Sequence, residues 1–144
     1  MPADVLELDL SPEPDSVMRA RLAVESFAAE HGICAGSLQG LKLAVSEACT
    51  NVVLHAFRGR EPGRLVVRAT IEDGRRLRVT VSDDGLGMTP RVDSPGLGLG
   101  LSLIASAADD FSVDRDGGGL GTRLCMLFRL DQPAKAFASL PATT

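Results

Sequence analysis

The sequence predicts an α/β fold of the α+β kind: a two-layer sandwich in which a mixed, mostly antiparallel sheet carries helices on one face. Strand-like alternation of apolar and polar residues at 5–10, 65–71, 77–81, 111–114 and 123–130 is the first sign. Helical spacing of apolar residues at 15–30, 37–57 and 101–109 is the second, and the resulting order is β-α-α-β-β-α-β-β. The third is size. A chain of 144 residues, 44% hydrophobic and 24% charged, suits one soluble domain with its own core.

Leu6, Leu8 and Leu10 alternate with Glu7 and Asp9, as in a strand with one buried face. Ser11-Pro12-Glu13-Pro14 breaks the strand. Asp15 or Ser16 is placed to cap a helix reaching about Glu30, with Val17, Leu22, Val24 and Phe27 as its apolar positions and His31-Gly32 as its end. A second helix is expected from Ser37 to about Phe57, striped by Leu41, Val45, Ala48, Val52 and Ala56. Leu65, Val67, Ala69 and Ile71 then form a strand, Glu72-Asp73-Gly74-Arg75 a hairpin turn, and Leu77, Val79 and Val81 the partner strand. Residues 82–100 are rich in glycine and proline and read as loop. A short helix from Leu101, a short strand at 111–114, a turn at 117–119 and a last strand with Leu124, Met126 and Phe128 inward complete a single domain, residues 1–130. The tail, 131–144, is expected to be flexible. No internal repeat or second domain is visible.

The net charge of −4 argues against a general affinity for nucleic acid or an anionic membrane. Arginines are dense between Arg58 and Arg78, but strand alternation spreads them over a solvated face. The N-terminus lacks the basic start and apolar core of a signal peptide, and no apolar run approaches a membrane span. Cys34, Cys49 and Cys125 are odd in number and widely spaced, so they suggest reduced thiols and a cytoplasmic location. His31 and His55 are too few for a histidine-rich metal site or a Ser-His-Asp triad.

Four blocks carry chemistry. Glu47 and Asn51 lie one turn apart on the second helix. An asparagine oxygen can be the single protein ligand of Mg²⁺, with phosphates and waters completing the octahedron. A neighbouring glutamate can then take a proton from an attacking hydroxyl. In isolation the same pair reads more readily as a solvated polar face, a reading that loses weight because glycine-rich phosphate loops follow downstream. His55, a turn further on, reads as a structural or rim residue.

Asp83-x-Gly85-x-Gly87 follows a strand. A carboxylate beside bare backbone can accept a hydrogen bond from the exocyclic amino group of adenine, although an Asp-Gly turn has the same sequence. Gly96-x-Gly98-x-Gly100, ahead of a helix at Leu101, can bring backbone N–H groups and the positive end of that helix to phosphates. It is neither a Walker loop, since no Lys-Ser/Thr follows, nor a dinucleotide fingerprint, since no strand directly precedes it. Gly119-x-Gly121-Thr122 precedes the last strand, where Gly121 admits a close backbone and Thr122 offers a hydroxyl; a plain hairpin turn fits these residues as well. In order, the blocks describe a site for a nucleotide with its metal, and they leave Glu47 as a base.

This set resembles the GHKL, or Bergerat, ATP-binding fold of gyrases and histidine kinases. The four boxes occur in order over about residues 5–130. Within that fold the chain looks most like the small anti-sigma factor serine kinases of the RsbW and SpoIIAB type, which carry a similar Ser-Glu-Ala-x-x-Asn segment followed by His, here Ser46 to Asn51 and His55. The resemblance implies Glu47 as general base, Asn51 as the Mg²⁺ ligand and Asp83 as the reader of adenine. It also implies an ATP site lined by Asn51, Asp83, Gly85, Gly87, Gly96, Gly98, Gly100, Leu101, Gly121 and Thr122. A homodimer is implied, with a sigma factor and a serine-bearing anti-anti-sigma protein of the STAS type as partners, without direct contact to nucleic acid or membrane. The stretch between the glycine boxes is short, with Arg91 its one basic residue. Three functions follow from the resemblance: a serine kinase that also sequesters a sigma factor, a catalytically weak nucleotide-gated binding module in a partner-switching system, and a domain of a phosphatase-linked switch. A retained Glu47 favours the first.

Overall fold

A computed structural model describes residues 4–57, 59, 61–85, 95–115 and 121–130, with the side chains of 95–100 and 115 left aside. In chain order the elements are β1 (Val5–Leu10), α1 (Pro14–Glu30), α2 (Ala35–Asn51), a π-helical turn (Val52–Ala56), β2 (Leu65–Glu72), β3 (Arg76–Asp83), α3 (Pro95–Ala107), β4 (Asp110–Arg115) and β5 (Thr122–Arg129). The five strands form one sheet in the order β1-β2-β3-β5-β4. All four described pairings are antiparallel. The two-layer sandwich expected from the sequence is therefore present.

The register explains the core. Leu8, Val67, Val81, Leu124 and Val113 stand side by side across the sheet, and Leu6, Ala69, Val79, Met126 and Phe111 form the next row. Alternation sends these rows to one face. There they meet Val24, Phe27 and Ala28 of α1, Leu41, Val45 and Ala48 of α2 and Ile104 of α3. Each large apolar side chain so buried contributes roughly 1.5–3 kcal/mol. The opposite face is polar. Arg64 reaches Asp9 at 2.6 Å, Arg78 reaches Glu72 at 2.6 Å, and Arg68 approaches Glu7 at 3.8 Å. Arg64, Arg68 and Arg78 are thus spread over the outer face, as expected from alternation, and each is paired there; Arg58 and Arg60 lie outside the described residues.

Several boundaries differ from the sequence reading. Neither Asp15 nor Ser16 caps α1. Glu13 is the N-cap and Pro14 the first helical residue, because proline's fixed φ starts a helix well. Ser16 is buried and donates its hydroxyl back to the Ser11 carbonyl at 2.6 Å. Leu22 is exposed and not part of the buried stripe. The second helix begins at Ala35, with Cys34 as N-cap. Its α-helical part ends at Asn51, where a π-turn takes over. Gly32, in the left-handed region at φ +89°, turns the chain out of α1. The glycine run is not a loop. α3 starts at Pro95, so Gly96, Gly98 and Gly100 lie within its first two turns. Among the described residues no helix is long and apolar enough to cross a membrane.

Candidate active site

Four polar residues are buried among those described: Ser16, Asn51, Asp83 and Thr122. The first is explained by its bond to Ser11. The other three, at 5%, 3% and 3% exposure, are residues the sequence singles out for a nucleotide. Burying a carboxylate and an amide costs several kcal/mol unless something polar meets them.

They come from three elements, and two of them, Asp83 and Thr122, meet at one end of the sandwich. Asp83 ends β3 and Thr122 opens β5, and the register sets them directly opposite each other. Both continue the inward rows: Leu77, Val79 and Val81 lead to Asp83, and Thr122 leads to Leu124, Met126 and Phe128. The row Leu10, Leu65, Asp83, Thr122 is thus the place where the core face of the sheet turns polar at its centre. The Gly85 N–H donates to Asp83 Oδ1 at 2.8 Å, an Asx-type turn that fixes the carboxylate's orientation.

Two glycines hold this end together. A Cβ on Gly121 would run into the Asp83 carbonyl, and one on Gly85 into the Ala56 carbonyl at the close of the π-turn. The loop before β5, the end of β3 and the end of the second helix are therefore in backbone contact, and any side chain there would separate them. Asn51, the last residue of α2, starts the turn that ends on Gly85. π-turns occur often at functional sites, where the wider turn re-aims the residues around it.

Helix α3 completes the arrangement. Gly40, near the start of α2, packs against Ala107, near the end of α3. After α3 the chain enters β4, whose first residue pairs with Leu127, and Leu127 pairs with Arg78 at the far end of β3. The end of α3 therefore lies away from Asp83. Since α3 packs along α2, its N-terminus lies on the side of Asn51 and Asp83. Backbone N–H groups of the first turn, left without carbonyl partners in the helix, make that end a natural place for phosphate.

Glu47 is half-buried, one turn before Asn51 on the same side of α2. His55 is half-buried within the π-turn. Leu101 is half-buried and packs against the core. Gly87, Arg91 and Gly119 lie outside the described residues. The sequence reading missed the support beneath the site. Asp84 points outward and accepts from the Arg64 N–H at 2.8 Å, and Gly63 leaves room for that carboxylate. The doubled Asp83-Asp84 was the available signal: one carboxylate faces the site and the next ties β3 to the loop before β2.

Known proteins share this fold. Residues 10–128 match the histidine kinase-like ATPase domain.

The chain belongs to that family.

It is 33% identical over 130 residues to the serine-protein kinase RsbW of Listeria monocytogenes serovar 1/2a, covering 80% of this chain and 82% of the relative. The RsbW of Bacillus velezensis is 37% identical over 132 residues, covering 80% and 81%. An anti-sigma F factor of Clostridium acetobutylicum is 31% identical over 132 residues, covering 84% and 90%. Among solved structures, the RsbU and RsbW domains of Rv1364c from Mycobacterium tuberculosis superpose with a TM-score of 0.70 at 21% identity, over 89% of this chain and 33% of that one. The blue-light activated histidine kinase of Erythrobacter litoralis superposes at 0.63 with 27% identity, over 84% and 42%. The family binds ATP, and this chain is an ATP-binding kinase of it.

Proposed function

We propose that this chain is an anti-sigma factor serine kinase, which holds a sigma factor and phosphorylates a serine of an anti-anti-sigma protein of the STAS type. The observation that carries this reading is the placement of Glu47 beside a buried Asn51, at the end of the sandwich where Asp83 and Thr122 interrupt the core face. RsbW kinases and an anti-sigma F factor among the relatives support the choice of a serine acceptor and a sigma partner.

Asp83, oriented by Gly85, accepts from the adenine amino group, and Thr122 opposite it offers a hydroxyl. Gly85 and Gly121 let the backbones that carry these residues close on one another. The first turn of α3, with Gly96, Gly98 and Gly100, receives the phosphates. Among the described residues no three His, Cys, Asp or Glu side chains are grouped to cage a metal ion. One buried amide oxygen from Asn51 suits Mg²⁺, which keeps waters and phosphates as its other ligands. When bound, Mg²⁺ supplies charge neutralisation on the phosphate oxygens.

Glu47 orients the incoming serine hydroxyl and takes its proton as the Oγ–phosphorus bond forms and the bond from phosphorus to the ADP oxygen breaks. ADP and phosphoserine leave, and the proton stays on the carboxylate until solvent removes it. We place the chain in the cytoplasm as a homodimer, following its resemblance to the anti-sigma kinases. The deciding experiment is incubation with Mg-ATP and the STAS-type proteins of the same genome, followed by mass spectrometry. Phosphoserine on one of them is expected. Nucleotide-dependent binding without transfer would replace the kinase by a nucleotide-gated binding module.

A further inference from the structure

Helix α3 contains no charged residue in its 13 positions, yet Ser102, Leu103, Ala105 and Ser106 are exposed on it. Exposed helix faces in soluble domains are normally charged. The adjoining face of α2 is similar. Its two charged residues are Lys42, which turns aside to Glu25 of α1 at 3.8 Å, and Glu47. Leu43 is 42% exposed, Leu103 41%, and Leu54, in the π-turn, 59%.

These leucines share one ridge. Leu43 lies four residues before Glu47, one turn away on the same helical face, and Leu54 follows in the π-turn that continues the helix. Gly40 against Ala107 sets α2 and α3 antiparallel at close range. One turn back from Ala107 is Leu103, and one turn on from Gly40 is Leu43, so the two stand at the same level. The result is a partly apolar surface about 16 Å long, from 1.5 Å per helical residue, in which Glu47 is the one carboxylate among the described residues.

We propose that Leu43, Leu54 and Leu103 form the seat on which the serine-bearing partner protein docks through an uncharged apolar patch beside its serine. The inference rests on the kinase reading above, and it names the surface that delivers the substrate. A hydroxyl that reaches Glu47 from outside must arrive over this face, so whatever carries the serine covers the leucines. The three leucines offer apolar contacts that set the partner's approach. A partner with a charged contact surface would leave those charges desolvated without a counter-ion.

The test uses the full chain, Mg-ATP and the STAS-type protein that accepts phosphate. Leu43→Ser and Leu54→Ser should each raise KM for that protein by about tenfold or more, as expected for anchor residues of an interface. The kcat at saturating partner and the affinity for ATP should stay within about twofold. Leu22→Ser, at a similarly exposed leucine on α1, should leave KM unchanged. Thermal melts keep folding separate, and Leu43→Gln serves if Leu43→Ser is destabilised. An unchanged KM in both variants, with transfer intact, overturns the seat and leaves the kinase reading standing. A changed oligomeric state by light scattering, with KM unchanged, also overturns it by giving the face to a second copy. Absence of transfer by the wild type to any STAS protein of the genome removes the kinase reading and the seat with it.

Discussion

Asp83 sits at the end of a strand row that is otherwise hydrocarbon, and the Gly85 N–H holds it in place. Its carboxylate is buried where a core residue would serve stability better. Asp83→Ala should lower ATP affinity roughly ten- to hundredfold, since a hydrogen bond to a charged group is worth about 1.5–3 kcal/mol. Calorimetry measures it. GTP should bind poorly to the wild type, because its carbonyl would face the carboxylate as acceptor against acceptor. Glu47 can be separated from Asp83 by readout. Glu47→Gln keeps the shape and removes the basicity, so phosphotransfer should fall by about 10²–10⁴-fold while ATP binding is retained. Transfer at the wild-type rate would end the assignment of Glu47 as base.

At the scale of elements, the glycines of α3 and the π-turn after α2 carry the most consequence. Each helical glycine costs about 1 kcal/mol relative to alanine. Three of them at the N-terminal end of α3 weaken that end of the helix, and under the proposed function nucleotide binding would offset that cost. The hairpin of β2 and β3 supplies a pH-dependent element. Arg78 beside Glu72 holds its carboxyl below the ordinary glutamate range, first through a hydrogen bond at 2.6 Å. A carboxyl whose folded pKa is depressed contributes stability above its unfolded value, and that stability is lost as pH falls through the folded value. Glu72→Gln should therefore be less stable than the wild type at neutral pH. The gap should close as pH drops below about 4, the region of the unfolded glutamate. Urea midpoints at pH 7 and at acid pH would show it, and a gap that does not depend on pH would assign the effect to packing. The pair is partly exposed, so the gap is expected to be small.

At the scale of the whole molecule, the core is one continuous cluster from α1 to β5, so the sandwich should unfold as a unit. Cys49 reports this. It is fully buried in α2, and burial pushes its thiol up to about 12. Cys34, half-buried at the head of α2, is drawn the other way, first by the Ser37 hydroxyl at 3.2 Å. A thiol-alkylating reagent at mildly alkaline pH should label Cys34 in the native protein and reach Cys49 only through global opening. Mass spectrometry against denaturant should place Cys49 labelling on the same curve as circular dichroism. Early labelling of Cys49 would mean that α2 opens on its own.

Alternation and helical spacing along the chain determined the element order, the inward rows and most of the core, because side-chain periodicity follows directly from backbone geometry. The four boxes singled out candidate site residues for the same local reason: glycines and carboxylates announce turns and polar contacts in the sequence itself. What the tertiary structure decided was convergence and boundaries. Asp83 and Thr122, 39 positions apart in the chain, become neighbours only through the β3–β5 register. Gly85 and Gly121 are required by backbones that meet only in the folded chain. The helical start at Pro95 and the π-turn after Asn51 overrode local propensity, because packing on α2 and on the end of β3 outweighs what glycines and single residues prefer alone. The exposed leucines near Glu47 belong to the same class: Leu43, Leu54 and Leu103 are left outside by the orientation of α2 and α3.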